Sequence, residues 1–106
     1  MKVLLDECVD RRFARELPGH FVKTVPQEGW AGKKNGELLA LAEKEFDAFI
    51  AVDRNLAFQQ NLPSFNIAVV ILQARSNRLA DLLPLAPKVL CILPSLSKGR
   101  CRTISI

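Results

Sequence analysis

Short apolar runs rich in β-branched residues alternate along this chain with stretches whose apolar positions recur every three or four residues. That alternation predicts βαβ units around a mainly parallel sheet, an α/β fold. Residues 2–5, KVLL, make the first strand. A helix follows from position 9 or 10 to position 17, because Phe13, Ala14 and Leu17 repeat at helical spacing and Pro18-Gly19 stops it. Residues 20–25 predict strand two, and PQEGWAGKKNG at 26–36 predicts a polar loop carrying the single tryptophan, Trp30. A helix over 37–46 rests on Leu38, Leu41, Ala42 and Glu45, with Asn35 as its N-cap, and strand three covers 48–52.

The second half is less regular. RNLAFQQNLP predicts a short helix ending before Pro63, and residues 67–72 form a strongly β-branched strand four. From about Asn77 the pattern turns helical, although Pro84 and Pro87 must kink or split the helix. Residues 99–106 alternate polar and apolar side chains as an edge strand does.

A chain of 106 residues has room for one compact core, so positions 1–106 are read as a single domain. No apolar run reaches the roughly twenty residues that span a bilayer, and acids follow the first apolar residues where a signal peptide would stay apolar. The expectation is a cytoplasmic protein without a membrane partner. Cys8, Cys91 and Cys101 are odd in number and widely spaced, with His20 the single histidine, which argues against a disulfide framework or a zinc site. Cys8 is expected to pack as a small apolar residue.

Charge changes this picture by its distribution. Ten of the eleven acids precede Arg54, while seven bases face Asp81 alone from there onward. An acidic half beside a basic one suits a protein that holds a metal ion while attracting a polyanion such as nucleic acid. Solvated Lys and Arg that merely maintain solubility are the bland alternative.

Two apolar runs end on aspartate: KVLLDE closes on Asp6 and Glu7, and DAFIAVDRN on Asp53. In open α/β sheets ligands bind outside the carboxyl ends of the strands. Asp6 and Asp53 would meet there, and Glu37, in the first turn of a helix starting at the same edge, would supply a third oxygen. Hard oxygen ligands of this kind suit Mg²⁺ or Mn²⁺, which polarise a phosphodiester and activate water. Each acid also has a structural explanation: Asp6 as a helix cap, Glu37 as a partner of its helix dipole, Asp53 as the start of an Asx-turn with Asn55.

LLDEC, GWAGKKNGELLALA at 29–42 and FIAVDRNLAFQQNL at 49–62 resemble, in order and spacing, the successive motifs of short PIN-like domains. These are relatives of PIN ribonucleases that often serve as toxins of bacterial toxin–antitoxin pairs. The resemblance implies a compact three-layer α/β/α fold and a Mg²⁺- or Mn²⁺-dependent endoribonuclease. It also implies a cognate antitoxin as partner and RNA as substrate; a homodimer is left open. Position by position, the family acids fall on Asp6, Glu37 and Asp53. The chain departs from the pattern at Asn35, where related sequences tend to carry an acid, and in NLAFQQNLPSFN, which lacks the fourth carboxylate of fuller PIN domains. Glu7, Asn35 and Asn61 are the candidates for supporting the site through an amide or carboxylate oxygen or through water.

Arg54, directly after Asp53, and the pair Arg75 and Arg78, after strand four, are candidates for contacts to RNA phosphates. Trp30 has three uses open to it, stacking on a base, facing a partner or packing onto the core. A phosphoacceptor receiver is the rival reading, with Asp6, Glu7 and Asp53 around Mg²⁺ and Ser76 as its hydroxyl residue. It leaves Glu37 without a role, and no lysine follows the last strand. A non-catalytic module that keeps the fold and clamps RNA or protein is the third.

Overall fold

A computed structural model describes residues 1–105, apart from the side chains of Ala57 and Phe58. Its centre is a five-stranded sheet in the order β2-β1-β3-β4-β5, every neighbouring pair parallel. The strands are β1 (Lys2–Leu5), β2 (Phe21–Thr24), β3 (Ala48–Ala51), β4 (Ala68–Gln73) and β5 (Cys101–Ser105). Each falls within two residues of its expected position. The central strands are apolar on both sides, as burial under two layers requires: all four β3 residues and the first five of β4 are buried.

Alternate strand residues feed two cores. Val3, Leu5, Ile50, Val70, Leu72 and Ile104 face a 3₁₀ helix, Arg11–Glu16, and two short α-helices that follow β4. Leu4, Phe49, Ala51, Val69 and Ile71 face α1 (Asn35–Ala42) and α2 (Leu56–Gln59), with Trp30 packed against the same core. The result is the three-layer α/β/α arrangement. Of its expected uses Trp30 takes packing onto the core, meeting Phe46 edge-on with ring centroids 6.2 Å apart.

Three helical expectations need correction. The segment after β1 is a six-residue 3₁₀ helix, Arg11–Glu16, capped by the Asp10 carboxylate accepting the Arg12 N–H at 2.9 Å. Asn35 is the first residue of α1 and not its cap; Lys34 holds the cap position with no side-chain hydrogen bond. The expected helix from Asn77 is divided into α3 (Leu79–Leu82), a 3₁₀ turn at Leu83–Leu85, α4 (Ala86–Ile92) and another turn at Leu93–Ser95. Pro84, Pro87 and Pro94 each stand in the first turn of a new piece. There a missing N–H costs no helical bond, so the prolines set where each piece restarts.

Strand order and helix placement together locate the switch point. From β1 the chain goes to β2 on one side, then returns across β1 to β3 on the other. The crevice between outgoing connections therefore opens above β1 and β3. The β3–β4 and β4–β5 connections step the same way across the sheet but cross on opposite faces, α2 on one and α3 with α4 on the other. They have opposite hands, a departure from the usual rule for parallel connections. Thr103 and Ser105 on β5 accordingly stay exposed and carry the polar side of its alternation.

Candidate active site

Asp6 is fixed by the backbone before its side chain does anything. Its N–H donates to the Ile50 carbonyl at 2.9 Å, adding one rung to the β1–β3 ladder, and its carbonyl accepts the Val9 N–H at 3.0 Å in the turn that follows. The side chain is half-buried. Burial pushes its carboxyl above the ordinary value of 3.8; the N–H groups of Cys8 and Glu7 and the Cys8 thiol pull it back in part, and the Glu7 charge adds to the rise. A desolvated carboxylate gains most when a cation reaches it.

Asp53 lies just past β3 on the neighbouring strand and is exposed. Its Oδ1 accepts the Asn55 N–H at 2.9 Å, the expected Asx-turn, and its carbonyl accepts from Leu56 N–H at 3.3 Å. The turn occupies one lone pair of one oxygen and leaves the rest of the carboxylate outward. Among the described residues neither Asp6 nor Asp53 forms an ion pair.

Cys8 reports how these acids are arranged. Its side chain is exposed, which corrects the expectation of a packed apolar residue. Partial burial of the sulfur pushes the thiol up, and the Asp6, Glu7 and Asp53 carboxylates push it further. Three acids from the ends of β1 and β3 thus share one local field. That raised value makes Cys8 a poor nucleophile near neutral pH.

Glu37 is not gathered into this group as a metal ligand. It lies exposed on the first turn of α1, and its Oε1 is 3.8 Å from Lys33 Nζ. Among the described residues, no three His, Cys, Asp or Glu side chains converge closely enough to hold a metal ion. The carboxylates left at the ends of β1 and β3 without an ion pair among the described residues are Asp6, Glu7 and Asp53. Mg²⁺ and Mn²⁺ retain several waters and are commonly held by one or two carboxylates plus substrate phosphates.

Of the supporting residues, Glu7 and Asn35 follow the ends of β1 and β2, whereas Asn61 adjoins Leu62, whose carbonyl lies against Gly99 at the opposite edge, where β4 and β5 begin; this corrects the expectation that Asn61 supports the site. Glu7 is exposed beside Asp6. Asn35 shares a cavity of about 350 Å³ with Lys33, Lys34, Gln59 and Gln60, where α1 begins close to the end of α2. Gly36 permits that approach, since a Cβ there would meet Gln60 Oε1 at 2.8 Å. Asn61 is exposed, and its carbonyl accepts the Ser64 N–H at 3.0 Å and hydroxyl at 2.6 Å.

The arginines occupy the flank. Arg54 is exposed next to Asp53. Arg75 and Arg78 line a cavity of about 470 Å³ with Ser76 and Asp81, at the end of β4. Ser76 donates its hydroxyl to Asp81 Oδ2 at 2.5 Å, while its oxygen accepts the Arg78 N–H at 3.1 Å. Asp81 is thereby held by a hydroxyl, leaving both guanidinium groups outside any ion pair among the described residues.

Sequence reasoning missed Thr24 and Gln27 at this edge. Thr24 is the one buried polar residue among the described positions, and its N–H donates to Gln27 Oε1 at 2.8 Å while Gln27 N–H donates to Thr24 Oγ1 at 3.3 Å. The signal lay in the T-x-x-Q spacing at a strand end, which allows this reciprocal pairing. In comparisons with known proteins, no family model, no curated protein and no solved structure matches the chain.

Proposed function

We propose that this chain is a metal-dependent endoribonuclease of the PIN-like kind, a toxin held in check by a cognate antitoxin, whose working carboxylates are Asp6 and Asp53. The observation that carries the reading is a desolvated acid beside a second acid at the sheet's switch point, with no cation paired to either among the described residues. Fold alone would not support it.

Asp6 and Asp53 are the residues that would hold Mg²⁺ or Mn²⁺, and the ion when bound supplies charge that polarises a phosphodiester and lets water attack near neutral pH. Arg54, Arg75 and Arg78 draw the RNA backbone toward the acids. They bind phosphate oxygens with little sequence choice and oppose the repulsion between carboxylates and phosphates. Glu37 has Lys33 as its partner, so two carboxylates carry this reading. The account is tested by incubating the purified chain with single-stranded RNA and Mg²⁺ or Mn²⁺. Cleavage should appear, stop on chelation, and be lost in Asp6→Asn; metal-independent cleavage or an active variant overturns it.

A receiver-like phosphoacceptor is the second reading, favoured by the 2-1-3-4-5 order and by a site that needs no Glu37. Against it, Ser76 is already hydrogen-bonded to Asp81. Acetyl phosphate with Mg²⁺ discriminates: a stable phosphoryl adduct on Asp53 supports the receiver, and unchanged intact mass supports the ribonuclease.

A further inference from the structure

A third cavity opens between the ends of β1 and β2. It measures about 320 Å³ and is lined by Glu7, Val9, Asp10, Arg11, Thr24, Pro26 and Gln27. That is the lower end of the range for small-molecule sites, about 300–1,000 Å³. We propose that it is a nucleobase subsite selective for guanine, a proposal that rests on the ribonuclease reading and gives it a sequence preference.

Only some of the polar groups lining this cavity are free. Asp10 is committed: Arg12 binds it through Nε at 3.0 Å, through a terminal nitrogen at 2.8 Å and through the backbone N–H at 2.9 Å. Those hydrogen bonds hold its carboxyl down at about 2. Gln27 has its carbonyl oxygen tied to the Thr24 N–H, so the half left for a ligand is the NH₂ donor. Neither Glu7 nor Arg11 forms an ion pair or side-chain hydrogen bond among the described residues. The cavity thus offers one carboxylate acceptor, one amide donor and one cation, with Val9 and Pro26 as apolar walls.

A flat ligand matching this set needs two adjacent N–H donors for the carboxylate, an acceptor beside them for the amide, and an anion for the guanidinium. Guanine presents N1–H and N2–H₂ next to O6 on its pairing edge, and its nucleotide adds the phosphate. Adenine turns a lone pair at N1 toward the carboxylate, and the pyrimidines offer it only a single donor position. An unpaired acceptor facing Glu7 is the repulsive element that excludes the other bases. Glu7 adjoins Asp6 in the chain, so a guanosine seated here lies next to the acids at the switch point.

The test uses the intact chain in chelator, where no cleavage can occur, with guanosine 5′-monophosphate and adenosine 5′-monophosphate as probes in nuclear magnetic resonance titrations. Guanosine monophosphate should bind at least tenfold more tightly and shift the amides of Glu7, Thr24 and Gln27. Glu7→Gln should abolish the preference. Arg11→Gln should weaken both nucleotides alike and leave guanosine without its phosphate unchanged. Equal binding of the two nucleotides, or a preference that survives Glu7→Gln, overturns the subsite. Guanine-selective binding by a chain that never cleaves RNA would keep the subsite and sink the ribonuclease; cleavage without preference for guanosine would do the reverse.

Discussion

Strand β3 carries an aspartate at each end, and the two have opposite surroundings. Asp47, at the N-terminal edge, accepts the Lys2 N–H at 2.9 Å through Oδ2 and lies 3.8 Å from Lys98 Nζ through Oδ1. Its backbone is tied as well, donating to the Lys2 carbonyl at 2.7 Å and accepting from Ala68 N–H at 3.1 Å. Asp53, at the other end, has the Asn55 N–H on one oxygen and no cation among the described residues. The same side chain flanking the same strand is absorbed into the fold at one edge and left without a cationic partner among the described residues at the other. Parallel strands produce this asymmetry, because at one edge the chain enters the sheet and at the other the crossovers diverge.

The largest expected effect separates these two acids. Asp53→Asn should lower metal-dependent RNA cleavage by two orders of magnitude or more and leave the melting temperature nearly unchanged, since the amide oxygen can still accept the Asn55 N–H. Asp47→Asn should leave cleavage intact and cost less than about 1 kcal/mol, the usual size of an exposed ion pair. Thermal melts and cleavage assays on both variants would break the comparison if the two behaved alike.

The next effect concerns RNA affinity. Replacing Arg54, Arg75 and Arg78 by Gln should weaken RNA binding and flatten its salt dependence, by roughly 0.7 in logarithmic slope for each phosphate no longer neutralised on single-stranded RNA. Titration at several salt concentrations reads both quantities. An unchanged slope would separate the basic flank from the acidic edge.

A smaller effect comes from the burial of Asp6. Its folded-state carboxyl is raised above 3.8, so the stability it contributes is complete below that value and is lost as pH rises through the raised one. Asp6→Asn removes that loss. The variant's melting temperature should gain on the parent as pH climbs from 3.8 and then level off, the trade of stability for function that active sites show. A gain that grows toward low pH would contradict the assigned burial.

The smallest is Gly36→Ala. The new methyl would push aside the end of the flexible Gln60 side chain, while alanine favours the helix by up to about 1 kcal/mol. Stability should hold or rise slightly.

The strands were legible in the sequence because a sheet buried on both faces selects unbroken apolar runs, as in AFIA and AVVIL. Asp6 and Asp53 were legible for the same reason, each standing where such a run stops. The helices were less so: a six-residue 3₁₀ segment and pieces restarted at Pro84, Pro87 and Pro94 answer to local backbone limits that apolar spacing does not encode. Partners also escaped. Spacing placed Glu37 on a first turn but not its pairing with Lys33, and it gave no sign that Lys98 would reach Asp47 across the fold. Cys8 looked like a core residue by type, yet the turn after Asp6 leaves it exposed within reach of three carboxylates.

The central claim is that the free acids at the C-terminal edge, and not the paired acid at the other, receive the metal. Mn²⁺ is paramagnetic and broadens nearby amide resonances, so a titration of the intact chain with substoichiometric Mn²⁺ locates the ion directly. The account predicts selective broadening at residues 6–8 and 53–55, with residues 46–48 spared and the effect lost in Asp53→Asn. Broadening centred on Asp47 or on Glu37, or a response spread evenly along the chain, would contradict it.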